Sequence, residues 1–177
     1  VMPLSVDKPG TPLHGYSGFT AAVWQCHPQS RGSVRITSSD PRASPRIESN
    51  YLQATLDQRT LVAGIRMLRE IQAQPSFRDR VDAEVLPGPA ADTDDALLDF
   101  ARREGGTVFH CVGTCRMGAA GDANAVVGPD LKVQGVECLR VIDASVMPTV
   151  TSANTNAASL MIGERGARMM LGPGSVG

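Results

Sequence analysis

The stretch GTVFHCVGTCRMG at residues 106–118 contains side chains that could carry out chemistry. His110 stands beside Cys111 and five residues before Cys115, in a run with a single charged residue. A metal centre, a thiol redox pair and an acid–base catalyst all use such residues. The run lacks the CxxC spacing of redox motifs, and a zinc site would need a fourth ligand from a distant part of the chain.

An acid–base role is the chemistry that the surroundings of His110 favour. Histidine exchanges protons near neutral pH. Gly113, Gly118 and Gly121 follow it, and glycine allows tight turns and a close approach of the backbone to a ligand. The alternative is a core histidine hydrogen-bonded to a backbone carbonyl. We interpret His110 as a candidate proton acceptor.

A second candidate site lies in VIDASVMPTVTSANTNAASLMIGERGARMML, residues 141–171. The pattern predicts a strand that ends at Asp143, a loop with a proline, and a helix that starts near Asn154 or Asn156. The first N–H groups of a helix have no partner within it and favour negative charge. Capping of the helix by asparagine explains the same residues equally well.

Antiparallel strands are predicted over about residues 19–52. FTAAVWQCH at 19–27 and SVRITS at 33–38 flank the turn residues PQSRG, which is typical of a β-hairpin. PRIESNYL at 45–52 follows a second turn and would continue the sheet.

Two amphipathic helices are predicted after the strands. Apolar residues recur at intervals of three and four over residues 57–74, where Asp57 would accept from the first N–H groups and Pro75 would end the helix. A shorter helix over 93–104 is capped by Asp92 or Thr93.

Two further elements are predicted nearer the C-terminus. Residues 138–142 resemble a strand, and 155–171 resemble a helix that is apolar on almost all sides and therefore needs cover from other elements. The GxGxxG at 172–177 follows a helix rather than a strand, so we interpret it as a disordered tail and not as a dinucleotide site.

The bulk composition excludes some classes of protein. Hydrophobic residues make up 42% and charged residues 20%, as in ordinary folded proteins. A net charge of −1 gives no long-range attraction for nucleic acid. Four cysteines are too few for a disulfide scaffold. The sequence has no apolar run of 18 residues, and its first residues, VMPLSVDKPGTPLHG, lack the charged start and apolar run that are typical of a signal peptide. We expect a cytoplasmic protein, with membrane association through a larger enzyme left open.

Three motifs in order resemble the C-terminal part of the glucose–methanol–choline (GMC) family of flavin-dependent oxidoreductases, most closely its choline dehydrogenase-like members. They are HCVGTCRMG at 110–118, VVGPDLKVQGVECLRVIDASVMP at 126–148 and NTNAASLMIGERGA at 154–167. SRGSVRITSSDPRASPRIESNYL at 30–52 is similar to strands of the family's substrate domain.

The resemblance implies an FAD enzyme that oxidises a primary alcohol, choline-like or other, to an aldehyde by hydride transfer to the flavin. Reduced flavin would pass its electrons to oxygen or to a quinone-type acceptor. The site residues are likewise implied by the resemblance: His110 and Asn154 would be catalytic, Asp143 and Ala144 would contact FAD, and Thr155 and Asn156 would present helix N-terminal donors to the flavin. No metal is implied.

The same resemblance implies an α+β fold. Residues 1–108 would be part of a substrate-binding domain, with an antiparallel sheet and packed helices. Residues 109–177 would supply the catalytic loop and the C-terminal segment of an α/β FAD-binding domain whose N-terminal part is absent from the chain.

The sequence departs from the family pattern in two places, and these departures lead to alternative hypotheses about function. Cys111 stands where the family commonly has proline, and the glycine-rich dinucleotide-binding unit is missing. We therefore expect the isolated chain to be inactive. A non-catalytic remnant or interaction module without FAD, or a Cys/His metal protein, are the other hypotheses.

Overall fold

The structure is a computed structural model that describes residues 3–6 and 11–172. Of the predicted tail at 172–177, residues 173–177 lie outside the described residues. The chain divides into two packed units. The first contains the described residues up to Gln25, with Gln29–Arg31 and Asn50–Gly106. The second contains Cys26–Pro28, Gly32–Ser49 and the described residues from Thr107 onward.

Three helices form the main part of the first unit: α1 (Thr55–Gln72), α2 (Pro75–Arg78) and α3 (Asp94–Glu104). α1 packs against α3, and their contact surfaces include the buried residues Val62, Leu97 and Ala101. The two helices predicted from periodicity are confirmed to within two residues at each end. The Thr93 hydroxyl accepts a hydrogen bond from the Ala96 N–H at 3.2 Å, so the predicted cap of α3 is also correct.

The sequence predicted that Asp57 caps α1, and this prediction was wrong. Asp57 is the third residue of the helix and only 2% exposed. Its carboxylate accepts hydrogen bonds from the N–H groups of Gln29 and Ser30 and from the Ser30 hydroxyl. The Ser30 Oγ in turn accepts hydrogen bonds from the N–H groups of Gln53 and Ala54, the two residues that precede the helix.

The hydrogen bonds at Asp57 also set the direction of its pKa. Burial alone would raise the pKa of this carboxyl, but the donors on Ser30 and Gln29 stabilise the charged form more strongly and hold the pKa below its ordinary value. Asp57 is therefore a charged clamp between α1 and the turn at residues 29–30.

The first predicted strand does not form. Among residues 19–27 only Thr20 makes a β-bridge. The stretch lies along α1 instead: Val23 occupies the space that a side chain at position 64 would need, and the Gln25 side chain donates to the Thr60 hydroxyl at 3.4 Å. Because Gly64 has no side chain, Val23 can pack directly against α1, and the segment lies on the helix instead of forming a strand.

The other two predicted strands pair with each other in the second unit. β1 (Ser33–Arg35) and β2 (Arg46–Glu48) form an antiparallel hairpin in which Val34 lies opposite Ile47. The connection is closed by a hydrogen bond from the Thr37 hydroxyl to the Ser44 carbonyl at 3.0 Å. The antiparallel pairing was predicted, but with one strand more than the structure has.

The core of the second unit joins a 3₁₀ turn (Ala144–Val146) to helix α4 (Asn156–Leu171). Its buried residues are Val127, Leu131, Val146, Met147 and Ile162.

The prediction of a strand at 138–142 was wrong. The strand is reduced to an isolated bridge between Lys132 and Arg140, one of several single bridges that cross this part of the chain.

Helix α4 lies where the sequence predicted, but its surroundings differ from the expectation. Only Ile162 and Gly166 are buried within the described structure. Other apolar residues of the helix, Leu160, Met161, Met170 and Leu171, are between 57% and 67% exposed. The apolar sequence of α4 is therefore only partly used in the packing that the structure shows.

The predicted domain boundary at 108/109 falls two residues after the chain leaves the first unit at Gly106, although the hairpin at 32–49 packs with the second unit. The assignment of these parts to substrate-binding and FAD-binding domains stays a prediction. Within the residues that the structure describes, no helix is both long and apolar enough to cross a membrane.

Candidate functional site

The candidate proton acceptor meets the start of helix α4. The Nδ1 atom of His110 lies 2.9 Å from the hydroxyl oxygen of Thr155, a residue 45 positions later that is only 6% exposed. His110 itself is half-buried. The contact leaves the opposite ring nitrogen, Nε2, as the atom available for chemistry.

The backbone around His110 is shaped by two residues with positive φ. Phe109 has φ of 60° and Gly113 has φ of 88°; the first is unusual for a residue with a side chain. A Cβ at position 113 would lie 3.5 Å from the Met147 carbonyl oxygen, so the segments around residues 113 and 147 run close together. Glycine supplies the conformation that this approach requires.

The segment after His110 is tied to the 3₁₀ turn by backbone hydrogen bonds. The Cys115 N–H donates to the Ser145 carbonyl at 3.0 Å, and the Met117 N–H donates to the Val146 carbonyl at 2.9 Å. Since Val146 packs in the same core as Ile162 of α4, the HCVGTCRMG loop, the turn and the helix form one connected structure.

The N-terminus of α4 has the form that the sequence suggested. Thr155 is the N-cap residue, but its side chain makes no cap hydrogen bond. Asn154 and Asn156 are exposed on either side of it. The first N–H groups of a helix have no intrahelical acceptor, and such an end favours an anion or a strong acceptor.

Asp143 and Ala144 begin the 3₁₀ turn. The Asp143 carboxylate is exposed but accepts from the Ser145 N–H at 2.7 Å, so one of its oxygens serves the turn itself. Ala144 packs against the core formed with α4. The structure thus brings the 143–146 turn and α4 together, and it joins His110 directly to Thr155.

Two contacts of this region were not predicted from the sequence. One is the bond between the Thr155 side chain and His110. The other links His27 Nε2 to the Ser152 hydroxyl at 2.7 Å, which fastens the loop that carries Asn154. Both partners are far apart in the sequence, and no local spacing marks either pair.

The metal hypothesis gains no support from the described residues, among which no three His, Cys, Asp or Glu side chains come together as metal ligands.

Comparison with known proteins agrees with the three motifs. Residues 28–163 match a family model described as GMC oxidoreductase. The chain is 39% identical over 171 residues to an oxygen-dependent choline dehydrogenase of Chromohalobacter salexigens, and 44% identical over 163 residues to the choline oxidase of Arthrobacter globiformis. These alignments cover 97% and 89% of the chain.

A solved structure is similar as well. Pyridoxine 4-oxidase from Mesorbium loti superposes with a TM-score of 0.75 at 36% sequence identity over 81% of this chain. The chain spans about 30% of the length of the curated relatives and 28% of the solved chain. The likeness therefore concerns one part of a larger kind of protein.

Proposed function

The chain belongs to the GMC oxidoreductase family, and on that basis we propose that it is the C-terminal part of an enzyme that oxidises a primary alcohol to an aldehyde. Members of this family are FAD-dependent flavoproteins. The observation that carries the proposal is the hydrogen bond between His110 and Thr155, because it holds a candidate base at the start of a helix with open N–H groups.

The residues at this end fit a flavin. The isoalloxazine ring offers carbonyl and nitrogen acceptors that become more negative on reduction, and the first turn of α4 offers N–H donors without a side-chain cap. We propose that Thr155 and Asn156 contribute backbone donors, and that Asp143 and Ala144 contact FAD from the 3₁₀ turn. When bound, FAD supplies the acceptor for the hydride that leaves the alcohol carbon.

His110 would take the proton that leaves the alcohol oxygen. Its Nε2 accepts this proton while the carbon loses hydride, so that the C–O single bond becomes the carbonyl of the aldehyde. Asn154, exposed and adjacent to Thr155, would donate a hydrogen bond to the oxygen on which negative charge develops. An amide serves as a donor here without competing for the proton.

The remaining parts of the site are proposed from the share of the relatives that the chain covers. An FAD-binding portion that precedes these residues would complete the cofactor site, with residues 109–177 as its C-terminal segment and residues 1–108 as part of the substrate-binding domain. The substrate would be choline or another primary alcohol, and the electron acceptor oxygen or a quinone-type compound.

The test is the replacement of His110 in the complete enzyme. His110→Gln should lower the rate constant of anaerobic flavin reduction by an alcohol by about 10²-fold or more, the usual contribution of a general base, with flavin still bound. Choline and benzyl alcohol are suitable probes. Stopped-flow absorbance of the flavin measures the rate.

His14→Gln is the matched control, because the hydrogen bonds described for the His14 ring go to Ser5 and Tyr16, which like His14 belong to the first unit. It should reduce flavin at the parent rate. If His110→Gln retains the parent rate within twofold, His110 is not the base; if the complete protein binds no flavin, the non-catalytic module becomes the better interpretation.

A further inference from the structure

We propose that Thr155 is a positioning residue that fixes the tautomer of His110: its hydroxyl accepts a hydrogen bond from Nδ1–H and so leaves the Nε2 lone pair ready for a proton. This inference rests on the proposed function of His110. It concerns the Thr155 side chain, whereas the flavin contact proposed above concerns the backbone at the start of α4.

The hydroxyl of Thr155 does not serve the helix. A threonine at an N-cap normally accepts a hydrogen bond from an N–H group of the first turn of the helix. Here that bond is not made, and the oxygen lies 2.9 Å from Nδ1 of His110 instead. Thr155 has a helical backbone, with φ of −76° and ψ of −4°, rather than the extended one of a typical N-cap, and its hydroxyl is engaged with the imidazole.

Thr155 is held firmly enough to orient another residue. It is 6% exposed, and its carbonyl accepts from both the N–H and the hydroxyl of Ser159, at 2.9 and 2.8 Å. A β-branched side chain has few rotamers. The hydroxyl oxygen is thus a fixed point, and the imidazole must adapt to it.

The direction of the hydrogen bond follows from the two states of the ring. Once protonated, the imidazolium has N–H groups at both nitrogens, so Thr155 must then act as the acceptor. If neutral His110 carries its proton on Nδ1, the same bond exists before and after proton uptake at Nε2. The other tautomer already has its proton on Nε2 and would have to lose it, with rotation of the hydroxyl, before the ring could act as a base.

The first measurement is the tautomer itself, in the complete enzyme with ¹⁵N-labelled histidine. The ¹⁵N signals of His110 are identified by their loss in His110→Gln, and the N–H and lone-pair nitrogens of a neutral ring have well-separated shifts. We expect Nδ1–H in the parent. A dominant Nε2–H form in the parent would overturn the inference without any variant.

Thr155→Val keeps the shape of the side chain and removes the hydroxyl. We expect the Nε2–H form to gain population and the limiting rate constant of flavin reduction by choline or benzyl alcohol to fall about three- to tenfold, the effect of one net hydrogen bond. The KM should change little. Thr155→Ser retains the hydroxyl and should restore both the tautomer and most of the rate.

Thr37→Val is the control for loss of a threonine hydrogen bond in the same unit, since its hydroxyl bonds only a carbonyl within the hairpin connection; tautomer and rate should match the parent. An unchanged tautomer and rate in Thr155→Val refute the role of Thr155. That result differs from failure of the proposed function, in which His110→Gln itself leaves flavin reduction unchanged.

Discussion

Asp57→Asn is the perturbation whose energetic effect the structure defines best. The carboxylate is 2% exposed and accepts from three donors: the Gln29 N–H at 2.9 Å, the Ser30 N–H at 2.7 Å and the Ser30 hydroxyl at 2.6 Å. Asparagine has one acceptor oxygen, and its NH₂ group would face donors. At least one charge-assisted bond is lost and one buried donor is left unsatisfied, so we expect a cost of about 3 kcal/mol.

Hydrogen exchange measured by mass spectrometry on the complete enzyme is the appropriate assay, because it reports on the turn at residues 29–30 locally. A loss of about 3 kcal/mol accelerates exchange of these amides by roughly two orders of magnitude if they exchange through opening of the clamp. Asp99→Asn is the control: Asp99 is 70% exposed and 3.8 Å from Arg102, so its effect should stay within about 0.5 kcal/mol.

The same clamp has a pH dependence whose sign is fixed. Because the pKa of Asp57 is lower in the folded chain than in the unfolded one, the clamp contributes stability that is fully present above the unfolded value of about 3.9. This stability is lost as the pH falls through the lower folded pKa. Asp57→Asn removes that part of the acid dependence. Exchange at residues 29–30 that is unchanged by the substitution would show that the donors find other acceptors and that the reasoning is wrong.

Three further substitutions test the packing of α4 and the attachment of the loop that follows Glu84. Gly166→Ala in α4 places a methyl group against Ile142 and should lower stability by about 1–2 kcal/mol despite the better helix propensity of alanine. Gly163→Ala, with open space around it, should instead raise stability by up to about 1 kcal/mol. Thermal unfolding of the two variants measures the difference, and equal midpoints would contradict the packing of Gly166 against Ile142. Arg69→Met removes the paired hydrogen bonds to Glu84 and two hydrogen bonds to loop carbonyls. We therefore expect stability to fall by about 3 kcal/mol and amide hydrogen exchange to become faster in the loop that follows Glu84. Protection from exchange equal to that of the parent would show that the loop does not depend on this arginine.

The helices were predictable because their signals are local. Periodic apolar residues and a capping threonine lie within a few positions of one another, and α1 and α3 start and end within two residues of the prediction. The strand at 19–27 was predicted wrongly because β propensity does not indicate which other segment a stretch will pack against. In the structure Gly64 offers Val23 a surface on α1, and a tertiary contact decides the conformation.

The candidate site shows the same division. His110 and the apolar helix with open N–H groups could be proposed from residue types and spacing. The bond from Thr155 to His110 spans 45 residues, and the role of Asp57 depends on a turn 27 residues earlier. Contacts of this kind leave no periodic trace in the sequence, so they become visible only when the segments are packed together.

Two separate connections hold His110 near α4, so substitutions in the two connections should have different effects on the site. One connection is the side-chain bond to Thr155; the other runs through the backbone bonds of Cys115 and Met117 to the 3₁₀ turn, and from the buried Val146 of that turn to Ile162 of α4. The backbone connection places the ring near the helix, and we propose that the hydroxyl selects which nitrogen carries the proton. Loss of the hydroxyl should therefore alter the chemistry of His110 while leaving its location unchanged, whereas a smaller residue at position 146 should disturb both.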